Sequence, residues 1–307
     1  MNKILSVVIG AVLVLGIVGI AVGQRPAVQE LPDDRLKVAA SFYPLYFMAR
    51  EIGGDKAEVA NITPAGAEPH DYEPTARDIL RLQESKLVVL NGAGLEPWSD
   101  IVAEDADADK IVIVKAGEDL ANREVVEEGE KTIDPHVWLS PRLTVKMADK
   151  ILAGFAQADV YNAPYYRANA AKLKSEFAKL DAEYVAGLKD CTQKNIVTSH
   201  VAFGYLASAY GFQQVAISGL STESEPSIGE LAEIAKFAKA NNIKYIFFES
   251  LLSPKFSETI AHEIGATTLV LNPLEGLTPG ELAAGKNYFT EMRNNLFNLQ
   301  TALQCKK

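Results

Sequence analysis

Histidine, methionine, cysteine and tryptophan are the scarce residues of this 307-residue chain, at four, four, two and two. The two cysteines, Cys191 and Cys305, have no neighbour at CxxC spacing, so neither belongs to a thiolate metal site. In an oxidising compartment they suit one disulfide tying the chain end to its middle; the alternative is two independent thiols. Positive charge is also short. Lys and Arg number 30 against 40 Asp and Glu, giving a net charge of −10 and an isoelectric point near 5.0. That excludes a nucleic-acid partner, which requires basic clusters, and suits a cationic ligand. Beyond the N-terminus no apolar run is long enough to span a bilayer, and no tract is of low complexity. At 48% hydrophobic and 23% charged residues, the rest is ordinary globular composition, long enough for one large or two modest domains.

What is present begins with MNKILSVVIGAVLVLGIVGIAVGQ, where Lys3 precedes an uncharged apolar run from Ile4 to Gly23. Residues 1–24 are expected to be a signal peptide or an N-terminal membrane anchor, with Ala21-Val22-Gly23-Gln24 as a small-x-small cleavage site. No cysteine lies near the end of the run, which excludes a lipid on that residue. Residues 25–35 are a linker. The mature body is therefore expected outside the cytoplasm, secreted or anchored to the outer face of the cytoplasmic membrane, touching the membrane only through this segment if uncleaved.

From residue 35 onward short β-rich runs alternate with helical patterns. Strands are expected at 35–42, 58–63, 86–93 and 110–116, then at 195–200, 213–220, 243–250 and 267–274. Their near-continuous Val, Ile and Phe content marks strands buried on both faces, hence parallel sheets covered by helices. Helical patterns lie between them, for example at 75–85, 227–240 and 254–265. The fold class is α/β, with two lobes, each a mainly parallel four-stranded sheet flanked by helices. Between them, residues 163–190 place Leu173, Phe177, Leu180, Tyr184 and Leu188 on one helical face, with Pro164 in the first turn. This helix would be roughly 40 Å long and would run along both lobes. The expected division is an N-terminal lobe 36–163, a linking helix 164–189 and a C-terminal lobe 190–307. The acidic stretch 117–135 shows little pattern and reads as an exposed loop, and Asn61-Ile62-Thr63 matches a glycosylation sequon by pattern only.

Three of the four histidines fall at the ends of these elements, where α/β proteins place ligand groups. His70 lies in EPHDYEPTARDI between a strand and a helix, His136 in DPHVWLSP, and His200 at the carboxyl end of NIVTSH. His262 sits inside a helix whose HEIGA lacks the second histidine of HExxH, and it is assigned no role. Three neutral imidazoles favour zinc, then other late first-row ions. A fourth, oxygen ligand is sought among Glu223, Glu249, Asn272 and Glu275. Asn272 is a weak, neutral donor; Glu275, in the loop after a buried strand, is best placed, and Glu249 could instead accept a proton from a histidine ring. Around His70, Pro69 and Pro74 restrict the backbone, Thr75 is the expected N-cap with Asp78 three residues on, and Asp71 and Glu73 are assigned to solubility.

The segments ASFYPLYFMAREIGGDKAEVANITPAGAEPHDYEPTARDI, DPHVWLSP, TSHVAFGYLASAYG and LNPLEGLTPGELAAGKNYFTEMRNNLFNLQTAL resemble the zinc/manganese-type solute-binding proteins of ABC importers, over roughly residues 36 to 304. The resemblance implies a metal at the lobe interface, with His70 and His136 from the first lobe and His200 and an acidic residue from the second. Some members carry aspartate where this chain has Asn272, and members with a PLEGLT-type ending place glutamate as Glu275 is placed here. Many zinc members carry a histidine-rich acidic loop between the first two ligands; residues 117–133 contain no histidine. Manganese members usually replace the third histidine by a carboxylate, so His200 biases the site to Zn²⁺ over Mn²⁺. The expected function is extracytoplasmic capture of Zn²⁺ by a monomer and its delivery to an ABC permease driven by a cytoplasmic ATPase, and not an enzymatic one. The rivals are a manganese or iron carrier of the same type, a zinc-dependent hydrolase or hydratase, and a metal-stabilised adhesin.

Overall fold

Eight short strands make two sheets in which every pairing is parallel. The computed structural model describes residues 34–100, 110–127, 129–220 and 226–306. The expectations for residues 1–24, and for Glu223 as a ligand, lie outside them. The first sheet contains β1 (Leu36–Ala40), β2 (Ala57–Asn61), β3 (Leu87–Leu90) and β4 (Val112–Lys115), in the order β2-β1-β3-β4. All four residues of β3 are buried, as a strand covered on both faces requires. Helices α1 (Tyr43–Gly53) and α2 (Ala76–Glu84) connect its strands. Thr75 caps α2 as expected: its hydroxyl accepts from the Asp78 amide, and the Asp78 carboxylate accepts from the Thr75 amide at 3.0 Å.

The acidic stretch departs from the expected exposed loop. Its centre is an antiparallel hairpin, β5 (Glu124–Glu127) and β6 (Glu130–Ile133), paired from Glu124↔Ile133 to Glu127↔Glu130. Gly129 supplies the positive φ of the turn, at 87°. Four glutamates hide the alternation, because Val125, Val126, Thr132 and Ile133 are too few to stand out as a strand pattern.

Helix α3 (Pro141–Ala158) leads into α4 (Ala163–Leu188), 26 residues long. The apolar seam of α4 is buried at Leu173, Phe177, Leu180, Tyr184 and Leu188. It packs on α3 and α1, and on two later helices, α5 (Gly204–Tyr210) and α9 (Tyr288–Ala302). The second sheet holds β7 (Asn195–Thr198), β8 (Gln213–Ala216), β9 (Tyr245–Phe248) and β10 (Thr267–Val270) in the order β10-β9-β7-β8. Helices α6 (Ile228–Ala240) and α7 (Lys255–Ile264) cross between its strands, and α8 (Pro279–Ala283) precedes α9. Counted within each half, both sheets have the order 2-1-3-4. A single apolar cluster runs from Val38 and Val89 through Phe177 and Leu180 to Tyr288 and Leu299, and residues 35–307 form one compact unit. Cys191 and Cys305 form a disulfide that joins the end of α4 to the end of α9.

Candidate metal centre

In open parallel sheets the carboxyl ends of the strands, beside the point where strand order reverses, are where side chains from different loops can meet. His200 follows β7 and Glu249 follows β9, the two strands that flank that point in the second sheet. His70 lies on the loop after β2. His136 follows β6 and opens a single 3-10 turn, Val137–Leu139. Glu275 sits past β10, on a turn shaped by Asn272: the Asn272 side-chain oxygen accepts from the Leu274 amide at 2.7 Å, and Leu274 takes φ 58°. The Trp138 indole donates to the Pro273 carbonyl at 2.8 Å, pinning this turn beside His136.

These loops bring four side chains together. His136 Nε2 lies 3.3 Å from His70 Nε2, 3.3 Å from His200 Nε2 and 3.0 Å from Glu275 Oε1. Glu275 Oε1 is also 3.2 Å from His200 Nε2 and 3.5 Å from His70 Nε2. A tetrahedral ion with bonds of about 2.0–2.1 Å sets its donors about 3.3 Å apart along each edge. The five separations, 3.0 to 3.5 Å, fit such an ion. Glu275 Oε2 is buried without a hydrogen-bond partner, a costly state for a carboxylate that faces no cation.

The rings are held unequally. His136 Nδ1 meets Asp134 Oδ1 at 2.8 Å, and the same oxygen accepts the His136 amide at 3.0 Å. His200 Nδ1 meets Glu249 Oε1 at 2.7 Å. A carboxylate at Nδ1 accepts a hydrogen bond from that N–H, so in the neutral ring the proton is fixed there and the Nε2 lone pair is turned into the centre. His70 Nδ1 has no such partner among the described residues; its amide meets Glu68 Oε1 at 3.4 Å. Its side chain is 11% exposed, against 0–1% for His136, His200 and Glu275.

Charge follows this geometry. Burial opposes ionisation of His136 and His200, but Asp134 and Glu275 raise the first, and Glu249 and Glu275 raise the second well above the usual histidine value. Burial dominates at His70 and lowers it. Glu275 is held well below the carboxylate range, since His200, His136 and His70 outweigh its burial. Burial and then Glu275 push Glu68 up to about 9, so it is a neutral acid beside the centre.

Of the candidate ligands, His70, His136, His200 and Glu275 converge, and Glu249 backs His200. Asn272 is engaged with Leu274 and Ser250, and His262 is exposed on α7. Sequence reasoning missed Asp134 and Glu68. The signal was available: both stand two residues before a histidine, in Glu68-Pro69-His70 and Asp134-Pro135-His136.

Residues 38–302 match the family model described as zinc-uptake complex component A, periplasmic (ZnuA). The chain belongs to the ZnuA family. Among its members, the high-affinity zinc uptake system protein ZnuA of Bacillus subtilis is 39% identical over 284 residues, covering 89% of each chain. The zinc-binding protein AdcA of Streptococcus pyogenes is 37% identical over 294 residues, 89% of this chain. The chain spans 57% of the length of that streptococcal relative. Among solved structures, the Zn(II)-bound ZnuA-like domain of Streptococcus pneumoniae AdcA superposes with a TM-score of 0.76 at 37% identity, covering 88% of this chain and 99% of that one. ZnuA-family architecture thus accounts for both sheets and the helices around them.

Proposed function

We propose that this protein is an extracytoplasmic solute-binding protein that captures Zn²⁺ with His70, His136, His200 and Glu275 and delivers it to an ABC permease. The observation that carries this reading is the convergence of three Nε2 atoms and one carboxylate oxygen at tetrahedral-edge separations. Three imidazoles and one carboxylate favour Zn²⁺ over Mn²⁺, which prefers oxygen donors. Four protein donors fill a tetrahedron and leave no open position for an activated water, so the ion is cargo rather than a catalyst. The zinc-binding and zinc-uptake relatives support the same assignment.

In this reading residues 36–163 and 190–307 are the two lobes, and 164–189 is the helix joining them. The N-terminal run 1–24 is an export signal or an anchor, and no described helix is long and apolar enough to cross a membrane. The partner is a membrane permease with its cytoplasmic ATPase. Metal analysis of protein purified without added metal, combined with zinc titration of wild type and Glu275→Ala, tests the proposal. Co-purified zinc near one equivalent and a large affinity loss in the variant are expected; unchanged affinity would remove Glu275 from the ligand set.

A further inference from the structure

The segment that begins at His200 ends, five residues on, at Tyr205 in the first turn of α5. Tyr205 is buried, and its hydroxyl meets the root of the β5–β6 hairpin, which precedes α4. The oxygen accepts from the Asn122 amide at 3.0 Å and from the Arg123 amide at 3.1 Å, and the O–H donates to the Asp134 carbonyl at 2.9 Å. One donor and two lone pairs are all that a phenol has, so a single backbone turn saturates it. A tyrosine that only fills a core needs one partner, as Tyr184 has in the Met292 carbonyl at 2.7 Å. Gly204 permits the close approach: a Cβ there would collide with Arg123 Nε and fall 2.8 Å from Asp134 Oδ2.

Little freedom is left between this clasp and His136. The Pro135 ring locks its own φ near −65°, and the Pro135 carbonyl accepts from Asn91 Nδ2 at 3.1 Å. Asp134 Oδ1 then holds the His136 amide at 3.0 Å and the ring Nδ1 at 2.8 Å. Fixing the Asp134 carbonyl therefore fixes a peptide plane, a carboxylate and an imidazole together. We propose that Tyr205 is a positioning residue of the metal centre. It registers the His200 segment against Asp134-Pro135-His136, so that two imidazoles from opposite sides of α4 meet with their Nε2 atoms 3.3 Å apart. The inference rests on the zinc-site reading above. Tyr205 stays outside the ligand set, and its effect on the ion passes through Asp134.

The test measures zinc affinity by chelator competition, and urea unfolding without metal, for wild type, Tyr205→Phe, Asp134→Ala, their double variant and Tyr184→Phe. Tyr205→Phe keeps the ring and removes the clasp, and zinc is expected to bind about tenfold more weakly. In Asp134→Ala protein the link from backbone to imidazole is already cut, so the same substitution should cost no more than about threefold. That non-additivity is what a merely structural residue would not give. Tyr184→Phe also loses a buried hydrogen bond, and it should lower the urea midpoint yet leave zinc affinity within about twofold. If Tyr205→Phe does not fold, Gly204→Ala, which presses on Asp134 from the same helix, goes through the same cycle with the same expectation. Unchanged affinity, equal losses with and without the Asp134 carboxylate, or an equal loss in Tyr184→Phe overturns the proposal. Wild type that binds no zinc overturns the site reading and this inference with it; wild type that binds zinc no better than Tyr205→Phe removes the positioning role alone.

Discussion

The chain contains the same tripeptide twice, an acid, a proline and a histidine, and the two copies are built differently. In Asp134-Pro135-His136 the carboxylate turns back on its own histidine and holds both the amide and the ring. In Glu68-Pro69-His70 the longer side chain reaches only the amide, at 3.4 Å, and its other oxygen is left unpartnered. One methylene separates the two acids. The shorter one makes a preset, fully buried donor; the longer one leaves the ring to be ordered by whatever arrives at the centre. In the proposed zinc site His136 and His200 are thus oriented before the ion arrives, and His70 completes the set.

Acid should separate the two arms most strongly. His136 and His200 hold protons at higher pH than a free imidazole, and His70 holds its proton less well. Zinc must displace those protons, so affinity falls as pH falls, starting above the ordinary histidine value near 6.5. The drop should approach about tenfold per pH unit for each proton displaced. A titration that stays flat between pH 5 and 8 would rule out histidine ligation.

Glu275→Ala removes the oxygen that all three Nε2 atoms share, and it should cost affinity roughly 100-fold or more, as when one member of a buried charge pair is lost. Asp134→Asn keeps the shape but not the charge behind His136, and a loss of about 10- to 100-fold is expected in competition with a zinc chelator. Glu249→Gln should match it within that range. Glu68→Gln should leave affinity within a few-fold, since Glu68 supports no ring. A loss as large as that of Asp134→Asn would erase the distinction between the two tripeptides. The smallest effect belongs to Pro69→Ala, which loosens the unbound loop by about 0.4–1 kcal/mol, a two- to fivefold change measurable by calorimetry.

Much of this was legible because of burial on both faces. Runs such as KLVVLNGA and IKYIFFES mark parallel strands whatever surrounds them, and the seam from Leu173 to Leu188 marks α4 by spacing alone. The histidines stood out by rarity, at the ends of those runs. The hairpin Glu124–Ile133 was masked by its glutamates. Asp134 and Glu68 escaped because their roles depend on a side chain folding back across a proline, which neither periodicity nor composition reports. Glu249 could be named, yet whether it faced the ion or the ring was decided only by where β9 ends relative to β7.

The matching strand order of the two halves places two donors on each side of a seam: His70 and His136 precede α4, and His200 and Glu275 follow it. Metal bonds tolerate only about 0.2 Å of error. A sideways slip of half an ångström or so between the halves would therefore stretch the bonds that cross the seam past that tolerance without any side chain being remodelled. If the four side chains hold the ion as proposed, unloading is also a matter of alignment: a partner that grips both halves and shears them slightly would empty a site that solvent alone would leave full.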